Sequence, residues 1–352
     1  MATLLYRAPW LFFGLFAGWI ADRVDRRRLV LIANVLRMGV LSALTVFIVT
    51  DVVNVAVVLV AMFALGTAET FVDTGAHTLL PMLVDAKDLG VGNARLVFGR
   101  RAINDLIGPP IGAALFALGL AVPFVAQAVT IGLGAVLIGQ LKASAPAEIT
   151  AVDGIRADIK AGIRWLWHNP PIRTLAITVV LFNLTFGAMW PMLVLYSSER
   201  LGMGEVGFGL LLSAGAIGGV IGALAYDWLE AHFSLANLMR IGLAIETFTH
   251  LGLALSTVPV LSMLILGVFG VQTSVWGTIS STIRQRVVPE NFQGRVDSVY
   301  SVGVFGGLVV GGVIGAVISG IWGVLAPFWF GFVGSALLIT VLWRELGHIA
   351  HE

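Results

Sequence analysis

The sequence predicts an all-α membrane protein made of two pseudo-repeat helical bundles, with eleven transmembrane helices divided five plus six. Apolar residues make up 58% of the chain and charged residues only 12%, against about 25% charged residues in soluble domains. Apolar runs long enough to cross a bilayer as a helix, about 20 residues each, recur along the whole chain. A short motif near residue 20 also returns in weaker form near residue 225.

The predicted spans are apolar runs bounded by charged residues or by Gly, Pro and Asn. They cover approximately residues 3–20, 29–49, 54–84, 94–119, 122–141, 172–197, 206–228, 234–256, 258–283, 293–319 and 323–343. The third run is unusually long. Because it is longer than one crossing needs, we expect its end, residues 78–84 around Pro81, to leave the hydrocarbon.

The basic residues predict how the chain is oriented in the membrane. Of the 21 Lys and Arg residues, all but Arg7, Arg37 and Arg200 fall in one alternating set of loops and adjacent helix ends. Positively charged loops stay on the cytoplasmic side. The pattern therefore predicts a multi-pass protein of the inner cell membrane, with the C-terminus inside and Met1 outside.

The longest polar stretch predicts a linker between the two bundles. Within it, apolar residues recur every three or four positions at Val152, Ile155, Ile159, Ile163 and Trp167. This spacing is typical of an amphipathic helix on a membrane surface. The predicted domains are thus an N-terminal bundle of five spans (1–141), a cytoplasmic linker helix (142–171) and a C-terminal bundle of six spans (172–352).

The recurring motif is richest in charge at its first occurrence, which lies in the first predicted cytoplasmic loop. Residues 18–27 read GWIADRVDRR, and residues 222–227 read GALAYD. The first copy follows one predicted span, whereas the second follows two spans of its own half. If the halves repeat, the first bundle is expected to lack its opening helix.

The charged motif resembles the signature loop of the major facilitator superfamily, which reads G-x-L-A-D-R-x-G-R-R. Ile20 replaces the Leu and Asp25 replaces the second Gly. Residues 108–113, GPPIGA, are similar to the end of a motif of exporters in that superfamily. Segments 89–94, 162–166 and 288–296 extend the resemblance to the branch that holds macrolide-efflux and siderophore-export proteins. It implies a twelve-helix fold, here less one helix, that carries a small molecule by rocking two bundles about a midplane cavity.

The resemblance also implies a gating loop formed by Gly18, Asp22, Arg23, Arg26 and Arg27. Asp22 would meet the N-terminal end of a later helix that starts near residues 292–296, where a carboxylate meets the positive helix dipole. The alternative is that the arginines anchor the topology and bind lipid headgroups. The second copy of the motif lacks the arginines, so no equivalent contact is expected there.

Charged residues inside predicted spans are costly, and they suggest an ion pair or a proton pathway. Arg37 lies at a depth that matches Glu69 and Asp73 on the next span. An intramembrane pair of Arg37 with Glu69 or Asp73 would fix helix packing. Alternatively, one carboxylate binds the coupling proton, because burial and an arginine neighbour shift its protonation in opposite directions.

Other polar residues within spans are candidates for the substrate or proton pathway. Arg101 and Asp105 are four residues apart, and Asn104 lies beside them. They form either a satisfied intrahelical pair or part of a cavity-lining helix that binds substrate or a proton. The side chains that could face the cavity further along the chain include Asn183, Trp190, Gln272 and Trp276. Glu246 and His250, also four apart, form either an internal hydrogen bond or a proton relay.

No enzyme motif, nucleotide-binding loop, cofactor site or metal site is recognised in the sequence. Without a nucleotide-binding loop, active transport would draw on an ion gradient. The resemblance then implies a secondary active transporter, not an enzyme, for proton-coupled efflux of a small drug-like or siderophore-like molecule by alternating access. We expect a monomer in the lipid bilayer that binds the substrate and a coupling ion, and no nucleic acid. The alternative is a truncated, non-transporting membrane scaffold.

Overall fold

The computed structural model describes residues 2–141, 155–343 and 345–348, and every regular element in these ranges is helical. The helices are α1 (Ala2–Ala21), α2 (Arg26–Val49), α3 (Val55–Leu79), α4 (Leu89–Arg100), α5 (Gly108–Leu118), α6 (Val122–Gln140), α7 (Ile155–His168), α8 (Pro170–Met189), α9 (Leu193–Leu195), α10 (Gly204–His232), α11 (Leu235–Leu255), α12 (Pro259–Val287), α13 (Gln293–Trp322), α14 (Ala326–Leu342) and α15 (Glu345–His348). The predicted linker helix corresponds to α7. The first part of that linker, residues 142–154, lies outside the described residues.

Side-chain caps mark the starts of four helices. Asp25 and Asn54 each accept a hydrogen bond from the backbone N–H three residues later, at 3.1 and 3.0 Å, where α2 and α3 begin. Asn169 and Ser234 cap α8 and α11 in the same way. Such caps satisfy N–H groups that have no partner within the helix. The polar residues that separate the apolar runs therefore also fix where the next helix begins.

Eight helices among the described residues are long and apolar enough to cross a membrane. They are Arg26–Val49, Val55–Met82, Val122–Gln140, Pro170–Arg200, Gly207–His232, Leu235–Leu255, Pro259–Val287 and Gln293–Trp322. Two shorter apolar helices, Phe12–Ala21 and Ala326–Leu342, lie at the predicted first and last spans. The all-helical, multi-span fold is confirmed, and the count of eleven spans stays a prediction.

The predicted span at 94–119 is interrupted, which is why it does not form one long helix. α4 ends at Arg100, residues Arg101–Ile107 form a π-helical segment, and α5 then begins at Gly108. The N–H of Gly108 bonds the carbonyl oxygen of Ile103, five residues back. Pro109 follows directly and has no N–H to donate, so the regular ladder of four-residue spacing is broken here.

The chain forms two compact units, each made of three separate segments. The first unit contains Met1–Leu89, Pro109–Leu166 and Arg284–Val302, and within it α3 packs against α1 and α2. The second unit contains Gly90–Gly108, Trp167–Ile283 and Gly303–Glu352, and within it α14 packs against α8 and α11. The predicted division into bundles on either side of residues 142–171 stays a prediction.

A glycine stripe on α13 lies directly against α8 within the second unit. A Cβ added at any of its members would overlap backbone carbonyl oxygen of α8. The facing positions are Gly307 with Val180, Gly311 with Leu184, and Gly315 with Ala188. The facing residues on both helices recur every four positions, so each glycine leaves space for one backbone carbonyl group of α8. Small residues at such positions let membrane helices approach closely.

Candidate functional site

The carboxylate of Asp22 lies at the first turn of α13, within the first unit. The backbone N–H groups of Gly294 and Arg295 donate to its two oxygens at 2.7 and 2.9 Å. The Arg295 side chain also donates through Nε at 3.1 Å. Asp22 is only 2% exposed. A buried carboxylate thus takes the place of water on helix N–H groups that have no intrahelical partner.

Two glycines make this close approach possible. A Cβ at Gly18 would overlap the Ser298 side chain and the carbonyl oxygen of Gly294. A Cβ at Gly294 would in turn lie 2.6 Å from Oδ1 of Asp22. The end of α1 and the start of α13 therefore touch backbone to backbone, and this contact explains why the motif begins with a glycine.

Burial raises the pKa of the Asp22 carboxyl above its ordinary value, because water no longer solvates its charge. The N–H groups of Gly294 and Arg295, together with the Arg295 guanidinium, lower the pKa and oppose that effect. The charge of Asp22 is therefore tolerated here only while these donors stay in place.

The arginines of the motif hold the chain around this carboxylate by bonding backbone carbonyl oxygens. Arg26 is 4% exposed, and its guanidinium donates to the carbonyl oxygens of Ala21, Thr78 and Glu290 at 3.4, 2.9 and 2.7 Å. One buried side chain thus ties together the end of α1, the end of α3 and the segment before α13.

The other basic side chains of the loop have different partners. Arg27 donates to the carbonyl oxygens of Gly139 and, at 2.9 Å, Leu141, and Arg23 lies over the Trp19 ring with its guanidinium carbon 4.4 Å from the centroid. These contacts fix the loop to the end of α6 and to α1. Lipid binding by this loop stays an untested alternative.

A second ion pair near the start of α13 has no counterpart in the sequence-based prediction. Arg284 of α12 lies 3.0 Å from Asp297 of α13, and its guanidinium carbon is 3.7 Å from the centroid of Tyr300. The neighbouring Gln285 donates to the carbonyl oxygen of His77 at 3.0 Å. No spacing rule links residues on different helices, so the sequence carries no signal for this cluster.

The predicted intramembrane pair is present as a contact. The guanidinium of Arg37 lies 2.5 Å from Glu69 and also donates to Asn34 at 3.4 Å. Asp73 lies one turn further along α3 and is partly buried. The structure therefore brings Arg37 to Glu69, and proton binding by Glu69 or Asp73 stays a prediction.

The candidates at Arg101, Asn104 and Asp105 all fall within the π-helical segment. Arg101 donates to the hydroxyl of Thr273 at 3.4 Å and lies against Gly219 of α10, both within the second unit. Asn104 is exposed, and the side chain of Asp105 lies outside the described residues. The structure thus gives Arg101 a partner on α12.

Five aromatic side chains of α8, α12 and the turn after α8 form a continuous row in the second unit. The aromatic row consists of Phe182, Phe186, Trp190, Phe269 and Trp276. Ring centroids are separated by 6.3 Å between Phe182 and Trp276 and by 6.5 Å between Phe182 and Phe269. The ring centroid of Phe186 lies 5.6 Å from that of Phe269 and 4.9 Å from that of Trp190. Trp190 and Trp276 were expected to face the cavity, whereas the phenylalanines were not, because they resemble ordinary apolar span residues.

The polar candidates near this row point in different directions. Asn183 donates to the carbonyl oxygen of Val179 in its own helix at 2.7 Å, and its Cβ faces Gly307 of α13. Gln272 is 3% exposed and lies against Gly242 of α11. Neither amide atom of Gln272 has a hydrogen-bond partner among the described residues. The structure therefore groups Gln272 with Trp276 and sets Asn183 apart.

The weak second copy of the motif does not form a loop. α10 continues through Asp227 to His232, so the copy lies within a helix. A different carboxylate, that of Glu230, lies against Gly90 in the first turn of α4, since a Cβ at Gly90 would overlap it. No contact like that of Asp22 was expected in this half, because the motif copy lacks the arginines, and Glu230 lies beyond the end of the copy.

Comparisons with known proteins agree with this architecture. The family model of the Major Facilitator Superfamily matches residues 1–302. The chain is 29% identical over 333 residues to the multidrug efflux pump Tap of Mycolicibacterium fortuitum, covering 89% of this chain and 77% of that protein. It is 24% identical over 351 residues to the enterobactin exporter EntS of Escherichia coli, covering 96% of this chain and 82% of that protein.

Solved structures share the fold at lower identity. A bacterial homologue of the iron transporter ferroportin, in its outward-facing state, has a TM-score of 0.78 at 19% identity over 99% of this chain and 89% of its own. The human organic anion transporter MFSD10 has a TM-score of 0.79 at 17% identity over 98% of this chain and 82% of its own. With the family match, these similarities show that the chain belongs to the Major Facilitator Superfamily and is a multi-pass membrane transport protein, not an enzyme.

Proposed function

We propose that this protein is a secondary active transporter that exports a small drug-like or siderophore-like molecule by alternating access, driven by proton entry. The observation that carries the proposal is the buried contact between Asp22 and the first turn of α13. A contact of this kind biases the equilibrium between two conformations when it forms in only one of them. The similarity to a multidrug efflux pump and to an enterobactin exporter supports export of an organic molecule.

The gate in this proposal comprises Gly18, Asp22, Arg23, Arg26 and Arg27. Opening it would separate the Asp22 carboxylate from three donors, each hydrogen bond to a charged group contributing about 1.5–3 kcal/mol. Water would take over those donors and the carboxylate, so the net cost of opening is smaller than the sum. A net bias of a few kcal/mol keeps one state favoured and still lets the states interconvert.

The aromatic row suggests the chemistry of the substrate. Aromatic pairs prefer offset-stacked or edge-to-face arrangements, and a planar ring system would extend such a series. Trp190, at the end of the row, is 40% exposed. Gln272 and Trp276 add amide and indole groups that can bond polar edges of a ring. The row therefore favours a flat, amphipathic organic molecule over a sugar or an inorganic ion.

The remaining candidates are assigned to the substrate or proton pathway. Glu69, Asp73 and Asp105 are carboxylates in or beside spans, where titratable groups commonly carry protons. In this proposal the protein works as a monomer in the inner membrane, with its C-terminus in the cytoplasm.

Everted membrane vesicles from an efflux-deficient bacterial host provide the test. We expect vesicles that contain the protein to accumulate a fluorescent planar aromatic dye when the interior is made acidic, and to lose it after a protonophore is added. Vesicles from the same host without the protein are the control. If no dye, drug or catecholate in a broad panel accumulates although the protein is present in the membrane, export is contradicted and the non-transporting scaffold is favoured.

A further inference from the structure

Two ionisable side chains of α11 lie one turn apart and are completely buried. Glu246 and His250 are both 0% exposed, and Nε2 of His250 lies 3.7 Å from Oε1 of Glu246. Neither residue belongs to the gate or to the aromatic row. Ionisable groups inside membrane helices are costly, and they commonly mark ion or proton pathways.

The surrounding protein gives this pair very few hydrogen bonds. The hydroxyl of Thr185 on α8 donates to Oε1 of Glu246 at 2.9 Å. Oε2 of Glu246 and both ring nitrogens of His250 have no hydrogen-bond partner among the described residues. A structural ion pair buried in low dielectric needs further hydrogen bonds to offset its desolvation. A purely structural role therefore leaves this arrangement unexplained.

The space for the imidazole is provided by a glycine. A Cβ at Gly331 of α14 would overlap the ring of His250, so the ring lies directly against the backbone of that helix. Between Ala326 and Leu342, α14 carries no titratable residue. The helix thus supplies room for the ring without supplying any charge.

The other elements packed against α11 bring no charge close to the pair. On α8 the charged residue nearest in sequence to Thr185 is Arg173, twelve residues earlier, or about 18 Å along the helix. α12 meets α11 through Gln272 and Trp276 near Gly242, one turn before Glu246.

Further charges lie towards the helix ends. The arginines of α12 are in its last turn, and α15 carries Glu345, which is exposed, and His348. Within α11, Arg240 bonds the carbonyl oxygen of Trp343 at 2.9 Å. Among the described side chains of these elements, Glu246 and His250 therefore face each other without a third charged group beside them.

This isolation sets the number of protons that the pair can hold. With one proton the pair is neutral overall, either as acid and imidazole or as carboxylate and imidazolium. With none it is a buried anion supported by a single hydroxyl, and with two it is a buried cation. Both of the charged states are strongly disfavoured without water.

We propose that Glu246 and His250 form a one-proton site, and that a proton driving export passes through it. Only the role of the site in driving export rests on the proposed function; the one-proton site itself does not. Release or uptake of the proton requires water to reach the pair, and hence a displacement of α8, α11 or α14. Thr185 lies on α8 between Phe182 and Phe186 of the aromatic row, so a substrate that shifts those rings also moves the donor to Glu246.

Infrared difference spectra of the purified protein test the proton site without any substrate. At neutral pH we expect either a carboxylic-acid carbonyl band or imidazolium ring bands that disappear in Glu246→Gln. The amide of Gln keeps an acceptor for Thr185, so the variant should fold, and the isolated imidazole should then be neutral. Glu199→Gln, which changes an exposed carboxylate, is the matched control and should keep the band.

The vesicle assay tests the link to transport. We expect Glu246→Gln to lose at least tenfold of the acid-driven dye accumulation while dye still equilibrates across the membrane, and Glu199→Gln to behave as wild type. A band that survives in Glu246→Gln would overturn the proton site, and loss of the band with normal acid-driven accumulation would overturn its role in coupling. If the wild type moves no compound, the proposed function fails, and the infrared result still decides the proton site.

Discussion

At the scale of single residues, Asp22 is the side chain whose replacement should have the clearest conformational effect. In Asp22→Asn one carboxylate oxygen becomes an NH2 group, which would face a backbone N–H of Gly294 or Arg295 instead of accepting from it. Loss of one bond to a charged group, about 1.5–3 kcal/mol, should reduce the ratio of closed to open gate roughly tenfold or more.

The chain contains no cysteine, so a single introduced thiol can be labelled selectively, and its labelling rate measures this shift. Ser298 is 2% exposed and lies against Gly18, so S298C places one thiol under the gate. We expect a permeant maleimide to label this thiol several-fold faster when Asp22→Asn is added. Asp25→Asn is the control, because it removes a carboxylate three residues away and Asn still caps a helix. Equal labelling rates in the two variants would contradict the gate.

The site residues that could be predicted from the sequence lie in a local motif or carry a charge that is costly to bury in an apolar span. Asp22 lies in a charged motif, and Arg37 and Glu69 are conspicuous because charges are rare in apolar spans. Phe182 and Phe186 are ordinary residues for a span, and only the fold places them beside Trp276 in the aromatic row. The same holds for Glu230, whose nearness to Gly90 depends on how far α10 continues.

At the scale of elements, the close contact between the glycine stripe of α13 and the backbone of α8 should be sensitive to a single added methyl group. In Gly311→Ala the new Cβ would overlap the carbonyl oxygen of Leu184, and backbone cannot yield as a flexible side chain does. Overpacking of this kind costs about 1–3 kcal/mol. We expect a lower midpoint of thermal unfolding in detergent for Gly311→Ala, and little change for Gly306→Ala on the same helix, where no atom lies within 4 Å. A shift of the same size in both variants would show that the contact is not the cause.

The starts of helices were easier to predict than their interruptions. Asn54 and Asn169 precede apolar runs, and in the structure both cap the helices that follow. The π-helical segment before Pro109 was not expected, because an apolar run at 94–119 has the same composition whether or not its hydrogen bonds are regular. The sequence locates the helix interruption caused by Pro109 only to within a few residues, because a π-helical turn before the proline can accommodate the missing hydrogen bond.

At the scale of the whole molecule, the fold is specified by pattern more than by particular residues. Identity of 19% to a solved structure accompanies a TM-score of 0.78. Long apolar helices, small residues at their contacts and charges near their ends can be met by many sequences, because the bilayer imposes the same length and polarity on all of them. Substrate choice depends instead on a few side chains within that frame, and the sequence pattern does not reveal it.

The position of the basic residues makes one further prediction about the whole chain. α2 has 24 residues, or about 36 Å at 1.5 Å per residue, which exceeds the roughly 30 Å of hydrocarbon. We therefore expect its two ends to lie on opposite sides of the membrane. Since basic loops are retained inside, Arg28 should be cytoplasmic and Asp51 external, and by the same alternation Arg286 should be cytoplasmic and Glu199 external.

All four of these residues are exposed, so single cysteine substitutions can report the side directly. A membrane-impermeant maleimide added to intact cells should label D51C and E199C and spare R28C and R286C, whereas permeabilised cells should label all four. Labelling of R28C and D51C from the same side would contradict a membrane-spanning α2. Opposite sides for R28C and R286C would contradict a single basic face, and with it the placement of the Asp22 gate on the cytoplasmic side.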